Sequence, residues 1–153
     1  MTTLHLDDFA PGQVHQLGRR TLSRDEIVAF ARDWDPQPFH LDERAAAASI
    51  SGGLIASGWQ SVCVFMRLFA DGLLNRAAAM GSPGIDELRW LKPVRPGDTL
   101  DARLEVLEVR PSRSKPDRGI VRLRSVLTNQ REEEVLSFIG NVMFRRRAAA
   151  PQD

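Results

Sequence analysis

The chain has 153 residues, of which 42% are hydrophobic and 27% charged, and its formal net charge is +1. Such a chain is the length of one domain and buries about two-thirds of its unfolded surface, so it needs neither disulfides nor a metal to fold. With Lys and Arg spread along the sequence and no aromatic-studded basic face, the charge excludes a dedicated nucleic-acid binder.

The first twelve residues, MTTLHLDDFAPG, lack the basic segment and apolar core of a secretory signal. Pro11-Gly12 marks a turn, and Val14 to Arg19 reads as a short first strand. Ser23 with Glu26 three residues later is a capping box, so a helix is expected from Arg24, with Ile27, Val28 and Phe30 on its apolar face. Pro36 ends that helix by forcing the preceding residue out of the helical region. Asp42 caps a second, short helix over Glu43 to Ala48. Gly52-Gly53 then leads into a long helix expected from Leu54 to about Asn75, apolar nearly all round and therefore buried on most sides. Its apolar stretch is broken by Gly58, Gln60, Ser61, Arg67 and Asp71, which excludes a membrane span. Cys63, the single cysteine, is expected in the core; it has no internal disulfide partner, which fits a reducing, cytoplasmic setting.

Past Met80 to Gly84, read as a turn-rich break, the pattern becomes alternating. Gly84 to Leu91, Leu100 to Val106 and Val121 to Thr128 read as half-buried strands, and Val135 to Phe144 as a central one. Pro96-Gly97-Asp98 and Arg110 to Gly119 are the connections. Arg145-Arg146-Arg147 and the AAAPQD that follows read as a frayed tail. The order predicts an α+β domain in which an antiparallel sheet wraps around one helix, a single domain over 1–153 with its core at about 10–146 and a tail at 147–153.

The chemistry concentrates in Asp35-Pro36-Gln37-Pro38-Phe39-His40. The prolines stiffen a loop that holds an acid and an imidazole, as acid/base catalysis requires. On composition alone the simpler reading is a proline-rich helix terminator with a surface Asp and a half-buried His. The scattered histidines and lone cysteine show no metal-ligand spacing, and His5 and His15 read as structural. Ser57 lacks the glycines of a nucleophile elbow and reads as a packing residue. No phosphate-binding glycine loop occurs. Arg110, Arg113, Lys115 and Arg118 crowd one turn, which reads as a solvated hairpin tip with coenzyme A phosphates as the alternative contact.

The segment Asp35, Gln37, Pro38, His40, Leu41-Asp42 resembles the D-x-[NQ]-P-x-H signature of the MaoC-like dehydratases, or (R)-specific enoyl-CoA hydratases. The resemblance continues through Gly53-Leu54-Ile55-Ala56-Ser57, through Ser61 and through Lys92-Pro93-Val94-Arg95-Pro96-Gly97-Asp98, covering about residues 10–145. Gln37 stands where Asn is usual, and Gly52 where His is common. The resemblance implies a hot-dog fold and a hydro-lyase that adds water to a trans-2-enoyl thioester to give a (3R)-hydroxyacyl thioester. Asp35 and His40 would be its acid/base pair. Gly53, at the start of the buried helix, would hold the oxyanion, with Ser61 and Gln37 as further substrate-site residues. It implies no metal and no cofactor beyond coenzyme A or acyl carrier protein on the substrate, and no nucleic-acid or membrane partner. It also implies a homodimer paired through sheet edges. A hot-dog thioesterase and a non-catalytic acyl-thioester-binding subunit are the alternatives, since fold does not fix function.

Overall fold

The computed structural model describes residues 2–148. Five strands form one antiparallel sheet: β1 (Val14–Thr21), β2 (Ala79–Trp90), β3 (Thr99–Pro111), β4 (Arg118–Thr128) and β5 (Glu134–Arg145), in the spatial order β1-β3-β4-β5-β2. β3, β4 and β5 follow one another as a meander, whereas β1 and β2 lie on opposite edges although they are consecutive in sequence. The segment joining them must therefore cross a face of the sheet. It contains α1 (Arg24–Trp34), the one-turn α2 (Pro38–Leu41), α3 (Glu43–Ala47) and the central helix α4 (Gly58–Gly72). This is the expected α+β hot-dog arrangement.

Local chemistry accounts for most boundaries. Ser23 and Glu26 form both halves of the capping box, the Ser23 side chain accepting from the Glu26 amide and Glu26 from the Ser23 amide. The Asp42 side chain caps α3 by accepting from the Ala45 amide at 2.7 Å. Val64, Phe65, Leu68 and Phe69 turn the inner face of α4 onto the sheet, where they meet Leu17, Leu100, Leu104, Leu123 and Phe138. Phe65 meets Phe138 edge-to-face at 5.0 Å. Each such side chain removed from water contributes about 1.5–3 kcal/mol.

Several expectations are corrected. The central helix begins at Gly58, four residues later than Leu54, and ends at Gly72. Leu54 to Ser57 run as irregular chain, tied to the neighbouring segment by the Ala56 amide, which donates to the Val94 carbonyl (2.8 Å). Cys63 is exposed: with Met66 and Arg67 it lies on the outer face of α4, since the sheet covers the other side. Met80 to Gly84 is no break but the start of β2. Gly81 (φ 103°) and Gly84 (φ 158°) let the strand bulge twice and still pair with β5. At the other end Arg145 completes β5. Arg146 and Arg147 do not fray but bond Asp7 and Asp8, the Arg147 guanidinium reaching both Asp8 oxygens at 2.7 Å. Residues 149–153 of the expected tail lie outside the described residues.

Candidate active site

Asp35 is the C-terminal cap of α1, its amide still bonded to the Ala31 carbonyl at 2.9 Å. Pro36 takes it out of helical geometry (φ −152°, ψ 69°) and swings its side chain away from the helix axis. Gln37 is extended, and Pro38 occupies the first position of α2, where a missing N–H costs nothing. His40 thus stands on a helical turn rather than on the loop expected from sequence, buried to 5% exposure with Phe39 edge-on against its ring.

The two titratable groups meet. His40 Nε2 lies 3.2 Å from Asp35 Oδ2, and His40 Nδ1 lies 2.7 Å from the Ile55 carbonyl. A carbonyl only accepts, so Nδ1 carries the proton and Nε2 is the atom turned toward Asp35. Asp35 is held from two other sides: Ser57 Oγ donates to Oδ2 and Gln37 Nε2 to Oδ1, both at 2.7 Å. Burial pushes the Asp35 carboxyl up, but the bonds from Ser57 and Gln37 and, when its ring is protonated, the nearby His40 together outweigh it and hold it below the ordinary 3.8.

Asp35, Gln37 and His40 open onto a cavity of about 410 Å³ bounded by Gly58, Trp59 and Ser61 of α4, by Trp90 and by the Leu91–Val94 segment. The first turn of α4 points into it. The amides of Gly58 and Trp59 lie within that turn and have no intrahelical acceptor, and the helix dipole adds positive potential there. A Cβ on Gly58 would come within 2.4 Å of Trp90 Nε1, so glycine here lets the indole close over the helix start. Trp90 in turn packs edge-on against Trp59, with centroids 5.3 Å apart.

Among the residues singled out from sequence, Asp35, His40, Gln37 and Ser61 come together on this cavity; Gly53 does not. Gly53 lies five residues before α4, so the expected placement at the helix start is corrected to Gly58. Its open side is covered by Arg95, whose Nη1 would lie 3.1 Å from an added Cβ and whose Nη2 donates to the Ser51 carbonyl. Gln37 bonds Asp35 directly, and Ser61 is buried beside the cavity with its amide on the Ser57 carbonyl. Ser57, read as packing, is the residue that sequence reasoning missed. It is fully buried and bonds Asp35, and its position just before the apolar helix was the available signal. The KPVRPGD segment seats this region: Val94 pairs with Ala56, Arg95 covers Gly53, and Asp98 accepts from the Arg95 amide at 2.9 Å. No group of metal-ligating side chains occurs among the described residues. None of their helices is long and apolar enough to cross a membrane.

Comparison with known proteins places these features in context. Residues 8–128 match the family described as "MaoC like domain". The chain is similar to the crystal structure of the MaoC-like dehydratase from Rhodospirillum rubrum, with 43% identity and a TM-score of 0.90 over 95% of this chain and 99% of that one. It is 38% identical over 111 residues to mesaconyl-CoA hydratase of Cereibacter sphaeroides, matching 72% of this chain but only 31% of that longer protein. It is also 31% identical to the YdeM protein of Bacillus subtilis, across 94% of this chain and all of YdeM.

Proposed function

The chain belongs to the MaoC-like dehydratase family, and on that footing we propose that it adds water reversibly across the double bond of a trans-2-enoyl thioester. Coenzyme A or acyl carrier protein is the thiol carrier of that substrate. The observation that carries the reading is the approach of Asp35 Oδ2 and His40 Nε2 to 3.2 Å on a cavity faced by the first turn of α4. With Nδ1–H committed to Ile55, neutral His40 offers a lone pair at Nε2, and Asp35 offers a second acceptor beside it. A water molecule has two O–H groups to match two adjacent acceptors, so the pair holds and aims the nucleophile.

Asp35 already accepts two strong hydrogen bonds and is a poor base, so His40 Nε2 takes the proton as the water oxygen bonds to the β-carbon. Asp35 remains charged and stabilises the imidazolium. The π electrons move toward the thioester, whose oxygen becomes an enolate held by the Gly58 and Trp59 amides. The imidazolium then returns its proton to the α-carbon, so the balance is one water added and no net proton consumed. The (3R) product follows the resemblance of Asp35 to His40 to the (R)-specific hydratases.

We further propose that two copies pair through β2. That strand is a sheet edge, its unpaired N–H and C=O groups are open, and exposed Ile85 and Trp90 on it adjoin exposed Met66 and Trp59 on α4. Sedimentation at micromolar concentration tests this pairing, and a monomer overturns it. For the reaction, crotonyl-CoA is the test substrate. Hydration removes the enoyl-thioester absorbance without freeing thiol. Thiol release would identify a thioesterase instead, and neither change would identify a binding subunit.

A further inference from the structure

The Asp35–His40 cavity is not the only built concavity. A second cleft, of about 650 Å³, lies where β3 turns into β4. Ile120 and Met143 from adjacent strands form its apolar floor, and Arg110, Arg113, Lys115 and Arg118 stand around it. Arg118 is neutralised by a bidentate pair with Asp117, both bonds at 2.9 Å. Arg110, Arg113 and Lys115 take part in none of the ion pairs among the described residues. Their turn is internally bonded: the Ser112 amide donates to the Arg118 carbonyl (2.9 Å) and the Lys115 amide to Ser112 Oγ (3.2 Å). The backbone that carries these three like charges is thus ordered in one turn around the cleft, and an anion bound there would relieve their mutual repulsion.

We propose that this cleft is a binding site for a phosphate-bearing nucleotide. The three unpaired cations match the charge of two phosphate groups, the guanidinium forks suit phosphate oxygens, and the apolar floor suits the face of a base. The volume lies within the range of small-ligand sites, about 300–1,000 Å³. The cleft is separate from the catalytic cavity of the same chain. Met143 lies beside one and Val135, bonded to Leu91, beside the other, and eight residues of strand span about 27 Å. The site therefore stands independently of the hydratase reading. The nucleotide is either a free ligand or the nucleotide end of a coenzyme-A-type carrier whose acyl end occupies another copy's cavity.

The test is calorimetric titration of the full chain with adenosine 3′,5′-bisphosphate, with inorganic phosphate in parallel. The expected result is saturable binding of the bisphosphate, tighter than that of phosphate. It should weaken about tenfold or more in the Arg113→Glu/Lys115→Glu variant and be retained by Asp35→Asn, with melting curves as the fold control. No binding, equal binding of phosphate, or undiminished binding in the charge-reversed variant would overturn the proposal. Once binding is seen, kinetics assign the source. A raised KM for crotonyl-CoA with an unchanged KM for crotonyl-pantetheine, which lacks the nucleotide, marks the carrier. An unchanged KM for both marks a free nucleotide. Loss of hydration in Asp35→Asn reads the catalytic site alone, so failure of one proposal leaves the other measurable.

Discussion

Residues 35–40 and residues 53–58 both feed the same cavity, yet they are built by different means. The first segment is set by its own covalent chemistry: Pro36 ends α1, Pro38 starts α2, and Asp35 and His40 come to 3.2 Å with Pro36, Gln37 and the start of a helical turn between them. The second has no such local instruction. Its path depends on Val94 capturing the Ala56 amide, on Arg95 covering Gly53 and on Trp90 lying over Gly58. A proline-locked segment carries its geometry wherever it is placed, whereas a segment held by distant partners is only as well placed as they are.

The strongest way to break this comparison is at Asp35 and His40. Asp35→Asn and His40→Ala should each lower kcat for crotonyl-CoA hydration on the order of 10²–10⁴-fold. Because both act on one water, the double variant should be barely worse than either single one. Asp35→Asn should change stability by about 1 kcal/mol or less. His40→Ala, which leaves the Ile55 carbonyl unpaired, should cost about 1–3 kcal/mol, measured by denaturant unfolding. A folded single variant with full activity removes the pair from the mechanism.

The second segment should respond at Gly58. An alanine there meets the Trp90 ring and must displace it, which disturbs the helix start and the cavity mouth together. Gly58→Ala should lower kcat by about ten- to a hundredfold. Adding Trp90→Ala should recover part of the loss, because the clash is with that ring. Equal activity in Gly58→Ala and wild type would discard the α4 amides as the oxyanion site.

Ser57 joins the two segments and sharpens the contrast through pH. The native Asp35 carboxyl lies below 3.8, so its contribution to stability is fully present above that value and is lost as pH falls through the lower native one. Ser57→Ala removes a donor that lowers it, leaving burial less opposed. The carboxyl should therefore rise, the loss of stability at acid pH should begin at higher pH, and kcat should fall about tenfold. An unmoved acid unfolding curve with unchanged kcat would leave Ser57 as packing only. The smallest effect is expected at Gly53→Ala. The Arg95 guanidinium can yield by the few tenths of an ångström required, so kcat should stay within about twofold and stability within about 0.5 kcal/mol. A large kcat loss there would return the oxyanion role to Gly53.

What the sequence determined by itself were features whose causes lie within a few residues. Ser23 and Glu26 set the start of α1, alternation along Leu100–Val106 and Val121–Thr128 marked strands with one buried face, and two prolines framed Asp35 and His40. The tertiary structure decided whatever depends on partners far along the chain. The apolar run from Leu54 reads as helix until the Val94 carbonyl takes the Ala56 amide; a hydropathy pattern records which residues avoid water but not which backbone groups they will bond. Cys63 among valines looks like core until the sheet covers only the opposite face of α4. The glycines at 81 and 84 read as a turn until β5 supplies a partner along which the strand can bulge and continue. Ser57 looks like packing until folding brings the end of α1 against the start of α4 and gives its hydroxyl an acceptor, the Asp35 carboxylate, 22 residues away.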